Sequence, residues 1–306
     1  MPTVSIIMNV CNGAATIRAA LESAFNQTYR DWELIVWDDC STDDSAAIVA
    51  EFNDPRLRYF LSPHDTPLGQ ARELALRQAG GEWLAFLDQD DIWLPTKLEL
   101  QIALTDSPQV GLVYGRTLCF YPGGRQRDYD QFHEFCALPE GYIFAELLTR
   151  GCFIAMSSAL LRRAAVEQSG GIPSQIHITP DYFWYLAVSR RYSARTVQQV
   201  ICRYRVHPGN MTSRYRRESL EETLSLIESW REQFPSRAFA RRHSGIATAL
   251  ALEEMRHLKT MPRGMRRMMQ SGSLWWIVRA LLVRFWRIVG RRLRKPFWKK
   301  HQTQNT

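Results

Sequence analysis

Asp88, Asp90 and Asp91 stand together directly after the apolar run Trp83-Leu-Ala-Phe-Leu87. A run of that length suits a buried strand, and Gly80-Gly81 separates it from the helical pattern before it. A buried strand that ends in clustered carboxylates puts negative charge at its carboxyl end, the edge where ligands bind in open α/β sheets. Asp-x-Asp is an oxygen-ligand set suited to Mg2+ or Mn2+ holding a diphosphate. Acidic triplets also cap helices and fill turns, and Pro95 suits the first turn of a following helix. The motif alone does not choose between these readings. A second pair, Asp38-Asp39, closes another apolar run, Glu33-Leu-Ile-Val-Trp37. Two acidic strand ends on one sheet edge are harder to dismiss than one.

The elements that must hold these residues follow from periodicity. Val4–Met8 reads as a strand, Asn12-Gly13 as a turn, and 14–26 as a helix through Ile17, Leu21, Ala24 and Phe25. After strand 33–37, Ser41-Thr42-Asp43-Asp44 supplies a helix cap and an acidic first turn before Ala46–Phe52. Leu57–Leu61 is a third strand, 68–79 a third helix and 82–87 a fourth strand. This alternation implies an α/β fold with a mostly parallel, doubly wound sheet. Beyond it, the pattern predicts helix over 95–105, strand over 110–120, a surface loop over 121–140, a buried apolar stretch at 152–161 and a turn at 170–173. Thr179-Pro180-Asp181 reads as a helix start with the helix over 182–191, 197–206 as strand, and 215–269 as mostly helix, broken near Pro235, Pro262 and Gly264.

The chain has 306 residues, 45% hydrophobic and 23% charged, which is a globular composition. Cys11, Cys40, Cys119, Cys136, Cys152 and Cys202 show no C-x-x-C spacing, so free thiols are expected rather than a zinc site or disulfide scaffold. No signal peptide is expected at the N-terminus, which runs directly into a strand pattern. The net charge of +8 is uneven: residues 271–306 hold nine Lys or Arg and no Asp or Glu, so residues 1–270 are close to neutral. That argues against a nucleic-acid-binding body. Within 274–293, Val278, Leu281, Leu282, Phe285 and Val289 fall on one helical face and Arg279, Arg284, Arg287 and Arg291 on the other. The arginines interrupt the apolar run too often for a membrane span. A basic amphipathic helix with flanking Trp suits a membrane surface; a packing helix with a solvated basic face is the alternative.

Several marks occur in order: Val4-Ser-Ile-Ile-Met-Asn-Val-Cys-Asn-Gly13, Gln27-Thr28-Tyr29, Glu33-Leu-Ile-Val-Trp-Asp-Asp-Cys-Ser-Thr42, Gly81-Glu-Trp-Leu-Ala-Phe-Leu-Asp-Gln-Asp-Asp91 and Tyr204-Arg-Val-His-Pro-Gly209. Together they resemble the family 2 inverting glycosyltransferases of the GT-A fold, over about residues 3–210. The resemblance implies a glycosyltransferase domain over 1–210; outside it, 211–270 reads as a helical extension and 271–306 as a membrane-surface tail. It implies that Asp38 and Asp39 contact the base and ribose of a nucleoside-diphosphate sugar, UDP- or dTDP-linked, and that Arg72 lies near the nucleotide. Asp88 and Asp90 become the Asp-x-Asp pair, with Asp90 the direct ligand of Mn2+ or Mg2+, Asp88 nearer the ribose and Asp91 as support. Arg205 is placed with the donor, and His207 in the metal shell or against the diphosphate. Asp181 becomes the general base that deprotonates an acceptor hydroxyl, with Glu134 the runner-up. A first-turn Asp is also favoured by the helix dipole alone.

The implied reaction is a single inverting displacement onto a glycan or lipid-linked acceptor in surface-polysaccharide synthesis, at the cytoplasmic face of the membrane. The alternatives are a non-catalytic nucleotide-sugar-binding protein and a nucleotidyltransferase, although the loop Cys11–Ala15 lacks the Lys or Arg that the latter needs. Some positions depart from the family. Pro180 replaces the first acid of the pair before the base, Asn9 and Cys11 stand where Pro and Tyr are usual, and Cys40 replaces a Gly. Gly tolerates positive φ and Cys resists it, so a slightly different turn is expected there. The Gln-x-x-Arg-Trp mark of processive synthases is absent, which favours transfer of one sugar.

Overall fold

In the computed structural model, residues 2–121, 126–127, 137–233, 236–256, 263–264 and 266–267 are described. The first half alternates as the sequence implies: β1 Val4–Val10, α1 Ile17–Phe25, β2 Trp32–Asp38, α2 Ser45–Ala50, β3 Leu57–Leu61, α3 Leu68–Leu76 and β4 Trp83–Phe86. There follow β5 Ile92–Trp93, α4 Lys97–Ile102, β6 Val110–Phe120, β7 Gln126–Arg127, α5 Phe144–Arg150, β8 Leu160–Arg162, α6 Arg163–Glu167, α7 Pro180–Ser189 and β9 Ser193–Arg205. The C-terminal helices are α8 Met211–Arg214, α9 Arg216–Ser229 and α10 Ser236–Glu254.

The strands form one sheet in the order β3-β2-β1-β4-β8-β6-β9-β5, with β7 beside β6. β3, β2, β1 and β4 run parallel, β8 runs against both of its neighbours, and β9 is parallel to β6 and antiparallel to β5. β1 shows why both faces are covered. Val4, Ile6, Met8 and Val10 enter one core with Ile17, Leu21 and Val49 of α1 and α2, whereas Ile7 enters a second core with Ala71, Ala75 and Trp184 of α3 and α7. Each fully buried aliphatic or aromatic side chain contributes roughly 1.5–3 kcal/mol of transfer free energy, so neither layer is dispensable. Close approach of β1 and β4 requires glycine at 81, where a Cβ would lie 2.6 Å from the Ser5 nitrogen. Leu226 and Ile227 of α9 and Ile246 of α10 join the second core, so the C-terminal helices pack onto the sheet domain.

Some boundaries differ from the sequence reading. Helix α2 begins at Ser45 with Asp44 as its N-cap and no acidic first turn. Asp43 instead accepts the N–H of Ser45 at 3.0 Å and that of Ala14 at 2.9 Å, joining two loops. The apolar stretch 152–161 divides into a short 3-10 turn, Met156–Ser158, and strand β8. The five described cysteines, all but Cys136, are free thiols. Most of the predicted loop 121–140, with Glu134, and all of 271–306 lie outside the described residues.

Candidate active site

The carboxyl ends of β2, β1 and β4 lie side by side. Val10 is paired with Asp38, and the Leu87 N–H donates to the Ile7 carbonyl at 3.0 Å, so Asp88 emerges beside the β1 loop. That loop is bonded to both neighbours. The Gln89 side chain accepts the Cys11 N–H at 3.0 Å and donates to the Cys11 carbonyl at 3.2 Å. Asn12 donates its N–H to Ser41 Oγ and accepts the Thr42 N–H, each at 2.9 Å. The three strand ends therefore form one continuous rim. Cys40 does take a left-handed conformation, φ 59°, as a glycine would. The flanking bonds of Asp38 and Asp39 hold the backbone there against the Cβ crowding.

Asp38 is buried and accepts the Ser41 N–H at 2.8 Å and the Tyr59 hydroxyl at 2.7 Å. Asp39, also buried, accepts the Thr66 N–H at 3.1 Å and the Thr66 hydroxyl at 2.8 Å. Burial pushes the Asp39 carboxyl above the ordinary range, the Thr66 bonds oppose the shift, and nearby Asp65 adds to it. A carboxylate offers about four acceptor sites, so each of these aspartates keeps capacity for a ligand after its internal bonds are made.

At the end of β4, the three aspartates point to different tasks. Asp88 is about one-third exposed and pairs with Arg72 of α3 at 3.1 Å, a guanidinium that is only 6% exposed. Asp90 Oδ2 lies 2.8 Å from His207 Nε2. Asp91 is buried: Oδ1 accepts the Arg205 N–H at 2.9 Å and Oδ2 accepts the Ser157 hydroxyl at 2.5 Å. Ser157 Oγ also accepts the Asp88 N–H at 3.1 Å. Arg205 donates Nε to the Asp90 carbonyl at 2.8 Å and lies over the Phe120 ring, so its guanidinium holds the acidic turn rather than reaching outward. Burial lifts the Asp88 and Asp91 carboxyls, Asp91 by more; Arg72 opposes the shift at Asp88, while repulsion within the cluster increases both.

His207 Nδ1 accepts the Gly209 N–H at 3.1 Å. The tautomer that satisfies both ring contacts carries its proton on Nε2 and donates it to Asp90. Ligation of a cation through Nε2 would require the proton on Nδ1 and loss of the Gly209 bond. The hydrogen bonding therefore supports His207 as an orienting partner of Asp90 more than as a ligand. Among the described residues no group of three or more His, Cys, Asp or Glu forms a metal cage. Diphosphate sites for Mg2+ and Mn2+ need only one or two carboxylates beside the substrate's oxygens, and the carboxylates at 88 and 90 suit that chemistry.

Asp181 lies in the first turn of α7, with Pro180 at the first helical position. It is partly buried, accepts the Tyr182 N–H at 2.8 Å, and forms no ion pair among the described residues. Burial raises its carboxyl above the ordinary range, Arg72 opposes that shift, and Glu222 of α9 adds to it. The same Arg72 acts on Asp88, and Asp181 in turn raises Asp88. The structure thus brings Arg72, Asp88, Asp90 and Asp181 into one electrostatic environment, two strands along the rim from Asp38.

The model for Glycosyl transferase family 2 matches residues 5–170, more than half of the chain. This chain is a family 2 glycosyltransferase. The glycosyltransferase is 32% identical over 224 residues to WfaP of Escherichia coli, a UDP-Glc:alpha-D-GlcNAc-diphosphoundecaprenol beta-1,3-glucosyltransferase, covering 73% of this chain and 85% of WfaP. It is 42% identical over 112 residues to WfgD of E. coli, named for the same reaction, covering 37% of this chain and 44% of WfgD. Among solved structures it resembles S. aureus TarS 1-349 in complex with UDP-GlcNAc, with TM-score 0.64 and 19% identity, covering 89% of this chain and 81% of that one. It also resembles the mannosyltransferase PcManGT of Pyrobaculum calidifontis in complex with GDP-Man and Mn2+, with TM-score 0.62 and 19% identity, covering 93% and 87%. These likenesses establish the GT-A fold.

Ser157, Gln89, Asn210 and Glu222 of this glycosyltransferase were not singled out by sequence. Asn210 accepts the His207 N–H at 2.6 Å and donates to the Arg205 carbonyl at 3.0 Å, so it fixes the turn that carries His207. Its place three residues after His207, just after Pro208-Gly209, was the available signal, since Asn commonly bonds its own turn.

Proposed function

We propose that this enzyme moves one sugar, with inversion, from a UDP-linked donor to a hydroxyl of a GlcNAc-diphospho-lipid acceptor in surface-polysaccharide assembly. The observation that carries the reading is the continuous acidic rim, on which Asp38 and Asp39 and the Asp88–Asp90 pair share the carboxyl edge of one sheet, with Asp181 at the start of α7 within electrostatic reach of Asp88. WfaP and WfgD, named for UDP-Glc and GlcNAc-diphosphoundecaprenol, support the choice of donor and acceptor class.

The roles follow from the partners. Asp38 and Asp39 accept the imide N–H of a pyrimidine and the ribose hydroxyls on their remaining lone pairs. Asp90, with Asp88 beside it, would hold Mn2+ or Mg2+ together with the donor diphosphate, and His207 and Arg205 fix the turn from which Asp90 projects. The cation, when bound, neutralises charge on the departing nucleoside diphosphate. Arg72 holds Asp88 and moderates the charge at Asp181. Asp181 takes the proton of the acceptor hydroxyl as that oxygen attacks the anomeric carbon from the face opposite the leaving group. One base suffices, because a single displacement forms no glycosyl-enzyme intermediate. Among the described residues no helix is long and apolar enough to cross a membrane, and we assign peripheral attachment at the inner membrane face to the basic tail.

The test is incubation of the full chain with UDP-glucose, UDP-GlcNAc, UDP-galactose or dTDP-glucose, Mn2+ and a synthetic GlcNAc-α-diphosphoalkyl acceptor. An α-linked donor should yield a β-linked disaccharide by NMR, with release of nucleoside diphosphate that EDTA abolishes. An α-linked product would overturn the inverting reading. A lack of nucleoside diphosphate release from any donor would overturn the proposed donor class.

A further inference from the structure

The turn that leads into α7 lies beyond residues 5–170, the stretch that the family model matches. Three consecutive backbone N–H groups in it converge on one carboxylate, that of Glu222 on α9. Oε1 accepts from His177 at 2.8 Å and from Ile178 at 3.1 Å. Oε2 accepts from Ile178 at 2.8 Å, from Thr179 at 3.0 Å, and from the Thr179 hydroxyl at 3.1 Å. Thr179 is the N-cap of α7, yet its side chain caps no N–H of its own helix, because the hydroxyl is directed to Glu222.

Two further features make this carboxylate the principal tether. A groove of about 650 Å3 runs along the turn, lined by Ile176, His177, Ile178, Glu221, Leu226 and Trp230; Ile176 anchors the start of the turn in the second core, and Glu222 holds the three residues after it. Leu226 is buried one turn along α9, which fixes where Glu222 is presented. Hydrogen bonds to an ionised acceptor are roughly twice as strong as neutral ones, and a helix N-terminus favours a negative charge beside it. Pro180 has neither an N–H nor an acidic side chain, and Glu222 brings a carboxylate to this helix start from another part of the chain.

We infer that Glu222 is a positioning residue for glycosyl transfer: it fixes the Thr179-Pro180-Asp181 turn, and through it the direction in which the Asp181 carboxylate meets the acceptor hydroxyl. The inference rests on the reading of Asp181 as the base. It makes the C-terminal helices part of the catalytic apparatus as well as of the core.

Glu222→Ala, the near-isosteric Glu222→Gln, Asp181→Asn and the Asp181→Asn, Glu222→Ala double variant test this. Transfer from UDP-glucose to the synthetic GlcNAc-α-diphosphoalkyl acceptor gives kcat and donor KM, and amide hydrogen exchange of His177–Thr179 reads the clamp without substrate. A reacting group displaced by about 1 Å loses on the order of 100-fold in rate. Glu222→Ala should therefore lower kcat by about 10- to 100-fold, leave donor KM unchanged and speed exchange of the three amides. Glu222→Gln, which keeps one acceptor oxygen, should fall between it and the wild type and covers the case in which the alanine variant does not fold. In the Asp181→Asn background, Glu222→Ala should produce no further loss, since both act through one group. Faster amide exchange with wild-type kcat, or an additive loss in the double variant, would overturn the positioning role. Full activity in Asp181→Asn alone would instead remove the base assignment.

Discussion

The bonding of Asp91 makes a quantitative prediction. Its carboxylate meets two donors, the Arg205 N–H at 2.9 Å and the Ser157 hydroxyl at 2.5 Å, at a site only 1% exposed. Asp91→Ala leaves both without their acceptor. A buried donor left unmade costs about 1–3 kcal/mol, so the gross loss is about 2–6 kcal/mol. Removing a buried negative charge that faces Asp88 and Asp90 returns part of it, and a net destabilisation of roughly 2–4 kcal/mol remains. For a chain of this size that is a Tm lower by about 3–6 °C. Asp91→Asn should be much milder. Its Oδ1 still accepts the Arg205 N–H, and only the Ser157 hydroxyl proton is orphaned, because the amide nitrogen that replaces Oδ2 is itself a donor and Ser157 Oγ, which accepts the Asp88 N–H, has a second lone pair to receive it. Asp91→Ala should also lower kcat, since the turn bearing Asp88 and Asp90 loses its fastening to β9, and Asp91→Asn, which keeps the Arg205 bond, should lower it less. Thermal unfolding by circular dichroism and initial rates of UDP release at graded Mn2+ would measure these effects. Equal Tm and kcat for wild type, Asp91→Asn and Asp91→Ala would refute the reasoning. A normal Tm combined with a steeply raised Mn2+ requirement would show that Asp91 is a cation ligand and not a fastening.

Other outcomes are expected on the same grounds. Asp181→Asn should lower kcat by about 10²–10⁴-fold, the usual contribution of general base catalysis, and leave donor affinity unchanged by calorimetry. It should not lower Tm at neutral pH: Asn still accepts the Tyr182 N–H, and a carboxyl raised by burial favours the fold most at low pH, a contribution lost as pH rises through its folded value. Because only ionised Asp181 acts as a base, the acid limb of the wild-type kcat/KM profile should lie above the ordinary carboxylate range; a limb at or below that range would count against the assignment. Cys40→Gly, at φ 59°, should raise Tm by about 1–3 °C through relief of the left-handed strain, and a fall would show that the Cys40 side chain matters more than its backbone. Truncation after Gln270 should move the protein from the membrane to the supernatant in fractionated cells; an unchanged distribution would exclude the tail as the anchor.

What was legible in the sequence was what is local. β3 and β6 begin and end where their apolar runs do, and the aspartates at 38, 39, 88 and 90 announced themselves as acids at strand ends. Strand β5 was not legible: two residues, Ile92 and Trp93, have no periodicity, and they are strand only because β9 lies beside them. β9 begins at Ser193, ahead of the expected 197, since its pairing with β6 contains register shifts that interrupt the alternation. Asp91 looked like support for a metal site, and its actual partners are 66 and 114 residues away. Ser157 and Glu222 belong to no motif because their meaning lies in which distant N–H groups they meet.

Strand β9 sits between β6 and β5 in the sheet although it follows both in the chain. During synthesis β1 to β4 precede the residues that fasten their acidic ends: Asp91 must wait for Arg205, and the turn bearing Asp181 for Glu222. The acidic turn is therefore unfastened until the last strand has paired with β6 and given β5 its partner. A chimera that exchanges only the first 170 residues with a relative would inherit Asp88, Asp90 and Asp91 without the β9 that fastens their turn.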